Sequence, residues 1–229
     1  DKIGGELAAL VQLRNELAMQ LRFPSFFAYK MKLQELDGNE LVKMFDELDT
    51  LTGPPFAELK KEIDTAMAAR FSIKPEELRP WHFGDLFFQE APNTEGVNFD
   101  DVYKDKDMLA ITKDYYTSMG LPADDILARS DLYEKPGKSQ HAFCTNLNRA
   151  DDIRVLCNLK PNAYWADTLV HELGHGVYDK FIGKDVSYLL HEPAHSLTTE
   201  GYAMMKGAMT KNEDFLIKAV KVSPGEATS

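Results

Sequence analysis

The sequence has few cysteines, little positive charge and no long apolar run, and each deficiency excludes a class of protein. Its two cysteines, Cys144 and Cys157, are too few for a disulfide scaffold and lack the paired spacing of a zinc ribbon. Lys and Arg number 26 against 37 Asp and Glu, and the resulting net charge of −11 would repel nucleic-acid phosphates. The longest stretch without Asp, Glu, Lys or Arg is Ser139–Asn148, far short of the roughly 18 apolar residues of a membrane helix. We therefore expect neither a nucleic-acid partner nor a membrane span.

The compartment stays open at this stage. A single disulfide between the two cysteines is compatible with the sequence, which would suit an extracytoplasmic protein, and two free thiols would suit a cytoplasmic one. The chain begins with Asp1 and shows no targeting segment. From this beginning we expect either that a segment was removed upstream or that the chain is an internal piece of a longer protein.

Helical periodicity runs along most of the chain. Leucines recur at helical spacing from Glu6 to about Lys32, with a break near Pro24. The further predicted helices run from Asn39 through Leu48, from Pro54 to Arg70 and from Phe99 to Met119, with residues 80–97 as an ordered loop. No repeat, linker or composition shift divides the chain. The predicted fold class is mainly α.

A short segment departs from this helical pattern. His141–Cys144 and Asp152–Cys157 have the composition of strands, and the polar residues 146–151 between them suit a turn. Pro161 and Asn162 then provide a turn and a helix cap. We expect a small β-hairpin followed directly by a helix.

That helix carries His171-Glu172-Leu173-Gly174-His175, an HExxH motif. Two histidines at i and i+4 lie one above the other on a helix, so that both imidazoles can reach one Zn²⁺. Glu172 can then act as general base toward a metal-activated water. An apolar stripe on a different face, Trp165, Leu169, Leu173 and Val177, would pack into the core. The alternative is a buried helix whose histidines have no metal.

A second HExxH, His191-Glu192-Pro193-Ala194-His195, competes with the first. Pro193 lacks the backbone N–H and clashes with the preceding turn unless it lies in the first turn of a helix. In that position it would leave His191 outside the helix, without the i, i+4 stacking on His195. We therefore assign the zinc site to the first motif and the second motif to a helix start, with Glu192 as a residue of the cleft.

Catalytic zinc sites commonly have three protein ligands, so one more is needed. The third histidine of the metzincins is absent, because Val177–Phe181 follows the pentad. Glu200 lies 24 intervening residues after His175, in a helical stretch beyond Pro193. We predict that Glu200 is the third ligand; the alternative is an exposed helical glutamate.

From about Arg129 to Ala203 the sequence resembles the gluzincin peptidases around angiotensin-converting enzyme, thimet oligopeptidase and oligopeptidase F. HELGH with a glutamate about 24 residues later carries the resemblance, together with the hairpin that includes His141-Ala142. It is most similar to the angiotensin-converting-enzyme branch, in which such a His-Ala pair lies on the edge strand that binds substrate and an acidic residue at the position of Glu192 lies in the cleft. The resemblance implies a helical, deeply clefted zinc peptidase with a small sheet at the cleft wall.

This sequence also departs from the family pattern. Members are typically more than twice as long, and their oxyanion-stabilising Tyr and His lie well downstream of the ligand glutamate. Here Ser229 is 29 residues after Glu200, and Lys211–Val222 contains no His or Tyr. We expect a central fragment whose partner is the C-terminal remainder of the parent peptidase. Gln140 also stands where the family has one of its disulfide cysteines.

The predicted organisation is one helical unit over residues 1–229, with a helical cleft part at 1–130 and the hairpin and zinc-site helices at 131–229. The predicted activity is hydrolysis of short unstructured peptides, with zinc held by His171, His175 and Glu200 and with Glu172 as base. His141 and Ala142 would align the peptide backbone by strand addition. By itself His141 would be read as an ordinary hairpin histidine. Two other functions remain open, a zinc- or peptide-binding fragment that does not catalyse and a helical domain with an accidental HExxH.

Overall fold

The computed structural model describes residues 2–83 and 98–227, and within them it confirms the mainly helical fold class with one small antiparallel sheet. The chain divides into two compact units, 1–96 and 97–229. Among the described residues, no helix is long and apolar enough to cross a membrane.

The described part of the first unit consists of helices. They are α1 (Lys2–Gln20), α2 (Phe26–Leu33) and α3 (Gly38–Phe71), followed by short 3₁₀ turns at Pro75–Glu77 and Pro80–His82. The predicted break near Pro24 is confirmed, because Ser25 caps α2 through its hydroxyl, which accepts a hydrogen bond from the Ala28 amide. Residues 84–97, most of the predicted ordered loop, lie outside the described residues.

The prediction of two helices at 39–48 and 54–70 is wrong, since α3 is continuous through Pro54 and Pro55. The two prolines cannot donate to the carbonyls of Thr50 and Leu51 four residues earlier. Both of those residues are exposed, so water can satisfy the carbonyls. The helix also begins before the predicted start at Asn39. Its cap is Asp37, whose carboxylate accepts hydrogen bonds from the amides of residues 39 and 40.

The second unit contains the hairpin and seven helices within the described residues. In chain order they are α4 (Phe99–Tyr103), α5 (Met108–Ser118), α6 (Asp124–Arg129), β1 (Phe143–Asn146), β2 (Ile153–Leu156), α7 (Ala163–Lys180), α8 (Ser196–Ala208), α9 (Glu213–Phe215) and α10 (Pro224–Ala227). A π-helical segment, Leu216–Val220, follows α9. The single helix predicted over 99–119 is two helices, because Asp107 caps a new start at Met108.

The first strand of the hairpin, β1, begins and ends two residues later than the strand predicted at 141–144. Phe143 pairs with Leu156 and Asn146 with Ile153. The outer side of β2 is taken by a parallel bridge from Asp131 to Leu156. The buried Lys138 ammonium fixes this approach by donating to the carbonyls of Asp131 and Cys157. Among the described residues, β1 pairs with β2 alone.

The core of this unit is built around α7. Its Leu169, Leu173 and Val177 are almost fully buried, as the apolar stripe predicted. Two buried tyrosines connect the surrounding segments through hydrogen bonds. Tyr116 of α5 donates its hydroxyl to the Val170 carbonyl at 2.6 Å, and Tyr103 of α4 donates to the Thr210 carbonyl at 2.5 Å.

Candidate metal centre and cleft

Helix α7 presents the two histidines of the first pentad on one face. The Asn162 side chain caps the helix by accepting a hydrogen bond from the Trp165 amide at 2.9 Å, as its sequence predicted. Because the apolar stripe faces the core, the imidazoles of His171 and His175 turn to another side, where each is about one-fifth exposed. Their Nε2 atoms lie 3.2 Å apart.

Helix α8 places Glu200 opposite this pair. The helices approach closely at Gly174, where a Cβ would lie 3.1 Å from the Cα of Ala203 and 3.2 Å from the Tyr116 hydroxyl. Contacts that short are tighter than ordinary van der Waals packing, so a methyl group would require Ala203 or Tyr116 to shift by a few tenths of an ångström. The close approach brings the Glu200 carboxylate to the histidines of α7.

The three side chains form a triangle of contacts, in which each of the two Glu200 carboxylate oxygens faces one histidine. Glu200 Oε1 is 3.4 Å from His171 Nε2, and Glu200 Oε2 is 3.3 Å from His175 Nε2. Zinc ligands at 2.0–2.1 Å in a tetrahedron are separated by about 3.3–3.4 Å. Two imidazoles and a carboxylate are also a ligand set that catalytic zinc takes. The residues present therefore fit a zinc ion in both spacing and chemistry.

The ring of His175 is oriented by a neighbour of Glu200. Its Nδ1 lies 2.9 Å from the hydroxyl of Thr199. A proton on Nδ1 donated to that hydroxyl leaves the Nε2 lone pair directed at the centre of the triangle. Burial, together with the nearby His171, lowers the pKa of His175 despite the opposing effect of Glu200. The neutral form that can bind a metal is thereby favoured.

Thr199 was not among the residues predicted from the sequence. A threonine at the start of a helix is ordinary, and only the packing of α8 on α7 gives it this contact.

Glu172 lies beside the triangle. One of its carboxylate oxygens is within 4.8 Å of a ring nitrogen of each of the two histidines. Burial and the charge of Glu200 raise the pKa of Glu172 to about 7, while the backbone N–H of Cys144 in β1 opposes the rise. A carboxylate with access to the cleft and contact with the edge of β1 can exchange a proton with a molecule bound there.

The triangle opens into a cleft of about 640 Å³. One wall is β1 and the residue before it, and the other is formed by α7 and the start of α8. The lining residues are Ala142, Phe143, Cys144, Thr145, Asn146, His171, Glu172, His175, Asp179, Glu192, Pro193, Ser196, Thr199 and Glu200. Of the residues predicted to bind substrate, Ala142 and Glu192 lie in this lining. His141 is exposed and does not, and its backbone bonds to the Ser139 hydroxyl.

Asp179 is a further acidic residue of the cleft that the sequence reasoning missed. Its carboxyl is half-buried, and this burial together with the charge of Glu192 raises its pKa to about 6, against the opposing effect of Lys184. Its position four residues after His175, on the same helix face, is the signal that could have identified it.

The second pentad does not form a histidine pair on a helix. His191 ends the 3₁₀ turn Tyr188–Leu190, and His195 precedes the first residue of α8. Pro193 lies between the two in a nonhelical segment, and α8 begins only at Ser196, so the second motif precedes the helix and is not the helix start that was predicted. Glu192 pairs with Arg149 at 2.8 Å rather than with the zinc-site histidines.

The two cysteines are free thiols in the structure. Cys144 lies in β1 and Cys157 directly after β2. Burial raises the pKa of both thiols, that of Cys157 to about 12. They are therefore protonated at neutral pH, and the thiolate form that binds metals is suppressed.

The fold and the site together define a helical protein with an HExxH pair on one helix and a facing carboxylate on the next. No protein-family model matches the sequence, and no curated protein does. Solved structures do match. One, assigned as an oligoendopeptidase F from Bacillus anthracis str. Ames, gives a TM-score of 0.56 at 17% identity over 96% of this chain. Another, PZ peptidase A with an inhibitor, gives 0.52 at 14% identity, also over 96% of this chain.

At these identities the likeness shows a shared fold. The chain spans 39% of the length of the first structure and 38% of the second. Both bear the names of peptidases, in line with the oligopeptidase group to which the sequence is similar.

Proposed function

We propose that this chain carries the zinc site of an oligopeptidase-type metallopeptidase that hydrolyses short, unstructured peptides. The observation that supports it best is the triangle of His171, His175 and Glu200, whose 3.2–3.4 Å edges suit a tetrahedral zinc ion. The fold shared with two structures named as peptidases supports the same reaction class.

His171, His175 and Glu200 would hold the metal. When bound, zinc supplies Lewis-acid polarisation of the peptide carbonyl and lowers the pKa of a water molecule. With Nδ1 donating to the Thr199 hydroxyl, the His175 ring would leave Nε2 unprotonated and free to bind the metal.

Glu172 would move the proton. Its carboxylate accepts a proton from the water that attacks the peptide carbonyl and returns it to the amine that leaves. Glu172 lines the same cleft as the residues of β1, where a peptide would lie.

The edge of β1 would bind the peptide backbone. Its four residues all line the cleft, and among the described residues its ladder partner is β2 alone. Adding a strand to such an edge recognises extended backbone and places few demands on side chains. Ala142 would continue this edge, Glu192 would contact the peptide from the opposite wall, and His141 would do so only if the peptide extends beyond the cleft.

The proposal is tested with Glu172→Gln. The amide cannot accept the proton, so hydrolysis of a fluorogenic peptide should fall by at least about 10²-fold, while zinc content stays at one ion per chain. The matched control is Glu213→Gln, which changes an exposed glutamate at the start of α9, outside the cleft lining. Loss of zinc together with activity in Glu172→Gln would contradict the role assigned to it.

A second function is favoured by the 39% coverage of the oligoendopeptidase F structure. The chain taken alone would bind zinc and peptide but turn over slowly, because losing one oxyanion donor typically costs roughly 10²–10³ in turnover. Comparing this chain with a longer version of the protein on one peptide separates the two functions. Equal kcat/KM would show that residues 1–229 contain the complete site.

A further inference from the structure

His191, which the zinc site does not use, lies between two backbone segments at the side of the cleft. Its Nδ1 is 3.2 Å from the carbonyl oxygen of Arg149, in the turn between β1 and β2. Its Nε2 is 3.0 Å from the carbonyl oxygen of Val186, in the segment that follows α7. Both ring nitrogens thus face acceptors.

These two contacts require a particular protonation state. A carbonyl oxygen only accepts hydrogen bonds, so both contacts are bonds at once only when both ring nitrogens carry protons. A neutral imidazole has one N–H, and its other nitrogen then directs a lone pair at a carbonyl oxygen. The geometry around His191 is therefore complete for the imidazolium and incomplete for the neutral ring.

The joined segments form part of the cleft wall. Arg149 has a φ of 55°, an unfavourable left-handed backbone for a residue with a Cβ, and its contacts must hold it there. Its guanidinium pairs with Glu192 at 2.8 Å and lies 5.6 Å from the Tyr188 ring centre. Lys184 also reaches the turn by donating to the Ala150 carbonyl at 2.8 Å. Because Glu192 lines the cleft, the position of this wall depends on these contacts.

We propose that His191 is a proton-dependent clasp that joins the turn at 147–152 to the segment at 184–192 and so holds the Glu192 wall of the cleft in place. The imidazolium closes the clasp with two charge-assisted hydrogen bonds, and deprotonation releases one of them. Imidazoles as a class change charge between about pH 5 and 8, so the two ends of this range are the conditions to compare.

The surrounding charges are compatible with an imidazolium. The charged and titratable groups of the turn and β2 are Arg149, Asp151, Asp152 and Arg154. Those of the segment are Lys184, Asp185, Tyr188 and Glu192, and Asp179 of α7 interacts electrostatically with Lys184 and Glu192. The charges of Arg149 and Glu192 cancel in an ion pair, and so do those of Arg154 and Asp152. Acidic groups outnumber Lys184 among the rest, so the imidazolium meets no excess of positive charge.

Amide hydrogen exchange tests the clasp without metal or peptide, so its result is independent of the proposed peptidase function. The amides to follow are those of Leu190 and His191, bonded within the 3₁₀ turn, and those of residues 150–152, bonded to the Asn148 side chain. Protection factors, which correct for the intrinsic pH dependence of exchange, should fall about tenfold or more from pH 5.5 to pH 8.0.

Variants of His191 separate charge from shape. In His191→Gln the side chain has a single donor group. This variant should show, at both pH values, the low protection factors expected of the unchanged protein at pH 8.0. His191→Arg, a permanent cation with several donors, should keep the high protection at both. The control His82→Gln changes a histidine of the first unit and should behave as the unchanged protein.

Protection at these amides that is the same at pH 5.5 and 8.0 in the unchanged protein would overturn the proposal. A pH dependence that survives in His191→Arg would overturn it as well, and this second comparison stands even if His191→Gln fails to fold.

Discussion

At the scale of single residues, the sequence predicts the placement of His171 and His175 side by side directly, and the placement of Glu200 opposite them less directly. His171 and His175 need only one helix, since their i, i+4 spacing puts both imidazoles on one face. Glu200 needs the packing of two helices, which its spacing from His175 suggests but does not determine. The contacts of Thr199 and His191 could not be predicted, because one depends on that packing and the other on carbonyl groups of two loops.

The two candidate third ligands, Glu200 and Glu192, differ in what they touch. Glu200 lies 3.3–3.4 Å from both histidines, whereas Glu192 is paired with Arg149. We expect Glu200→Ala to weaken zinc binding by more than about a hundredfold, above the 10–100-fold that outer contacts to ligands usually contribute. Glu192→Ala should change zinc affinity by less than about threefold. Competition titration with a zinc chelator measures both.

The same titration measures how much Thr199 contributes to zinc affinity. Thr199→Val keeps the shape of the side chain and removes the hydroxyl at His175 Nδ1, so zinc affinity should fall by about 10–100-fold.

A larger loss of zinc affinity in Glu192→Ala than in Glu200→Ala would show that the third ligand is misassigned.

At the scale of helices and strands, the apolar stripe, the Asn162 cap and the break after α1 were all predictable, because each depends on neighbours in the sequence. The errors arose where local signals conflict with the wider structure. Pro54 and Pro55 are strong helix-start residues, yet α3 passes through them on an exposed surface. The contact of α7 with α8 at Gly174 has no local signal beyond a glycine within a helix.

This close contact can be tested with Gly174→Ala. The methyl group would press on the Ala203 backbone at 3.1 Å, and overpacking of this kind costs about 1–3 kcal/mol. The gain in helix propensity, at most about 1 kcal/mol, offsets only part of it. We expect a lower free energy of unfolding in urea. We also expect weaker zinc binding, because a methyl group that pushes α8 away from α7 would move Glu200 away from the histidines.

Gly201→Ala on α8 is the matched control. A Cβ there meets nothing within 4 Å, so the propensity term alone should act and raise the free energy of unfolding by up to about 1 kcal/mol. If Gly174→Ala proved equally stabilising, the helices would not be in the close contact described here.

At the scale of the whole molecule, the donors of the proposed zinc site all belong to the unit at 97–229. The expectation of one helical unit over residues 1–229 stays a prediction. Many apolar side chains of α1 and α3 are exposed, among them Leu7, Leu13, Phe45 and Leu51. Apolar exposure on this scale is typical of a surface that packs against other protein.

Zinc should therefore stabilise the two units unequally. Binding to the folded form alone adds about 2.7 kcal/mol of stability at a free zinc concentration one hundred times the Kd. Hydrogen exchange with and without zinc should show added protection in α7 and α8 and none in α1–α3. Equal added protection in α1–α3 would contradict the placement of the whole site in the second unit.

The central claim is that His171, His175 and Glu200 bind one zinc ion, and X-ray absorption at the zinc edge of the loaded protein tests it most directly. The spectrum should fit two imidazole nitrogens and carboxylate or water oxygens at about 2.0–2.2 Å, with no sulfur. His171→Ala should lose one of the two imidazoles from the fit, and His195→Ala should lose neither. A sulfur scatterer at about 2.3 Å, or an imidazole contribution that disappears in His195→Ala, would contradict the account.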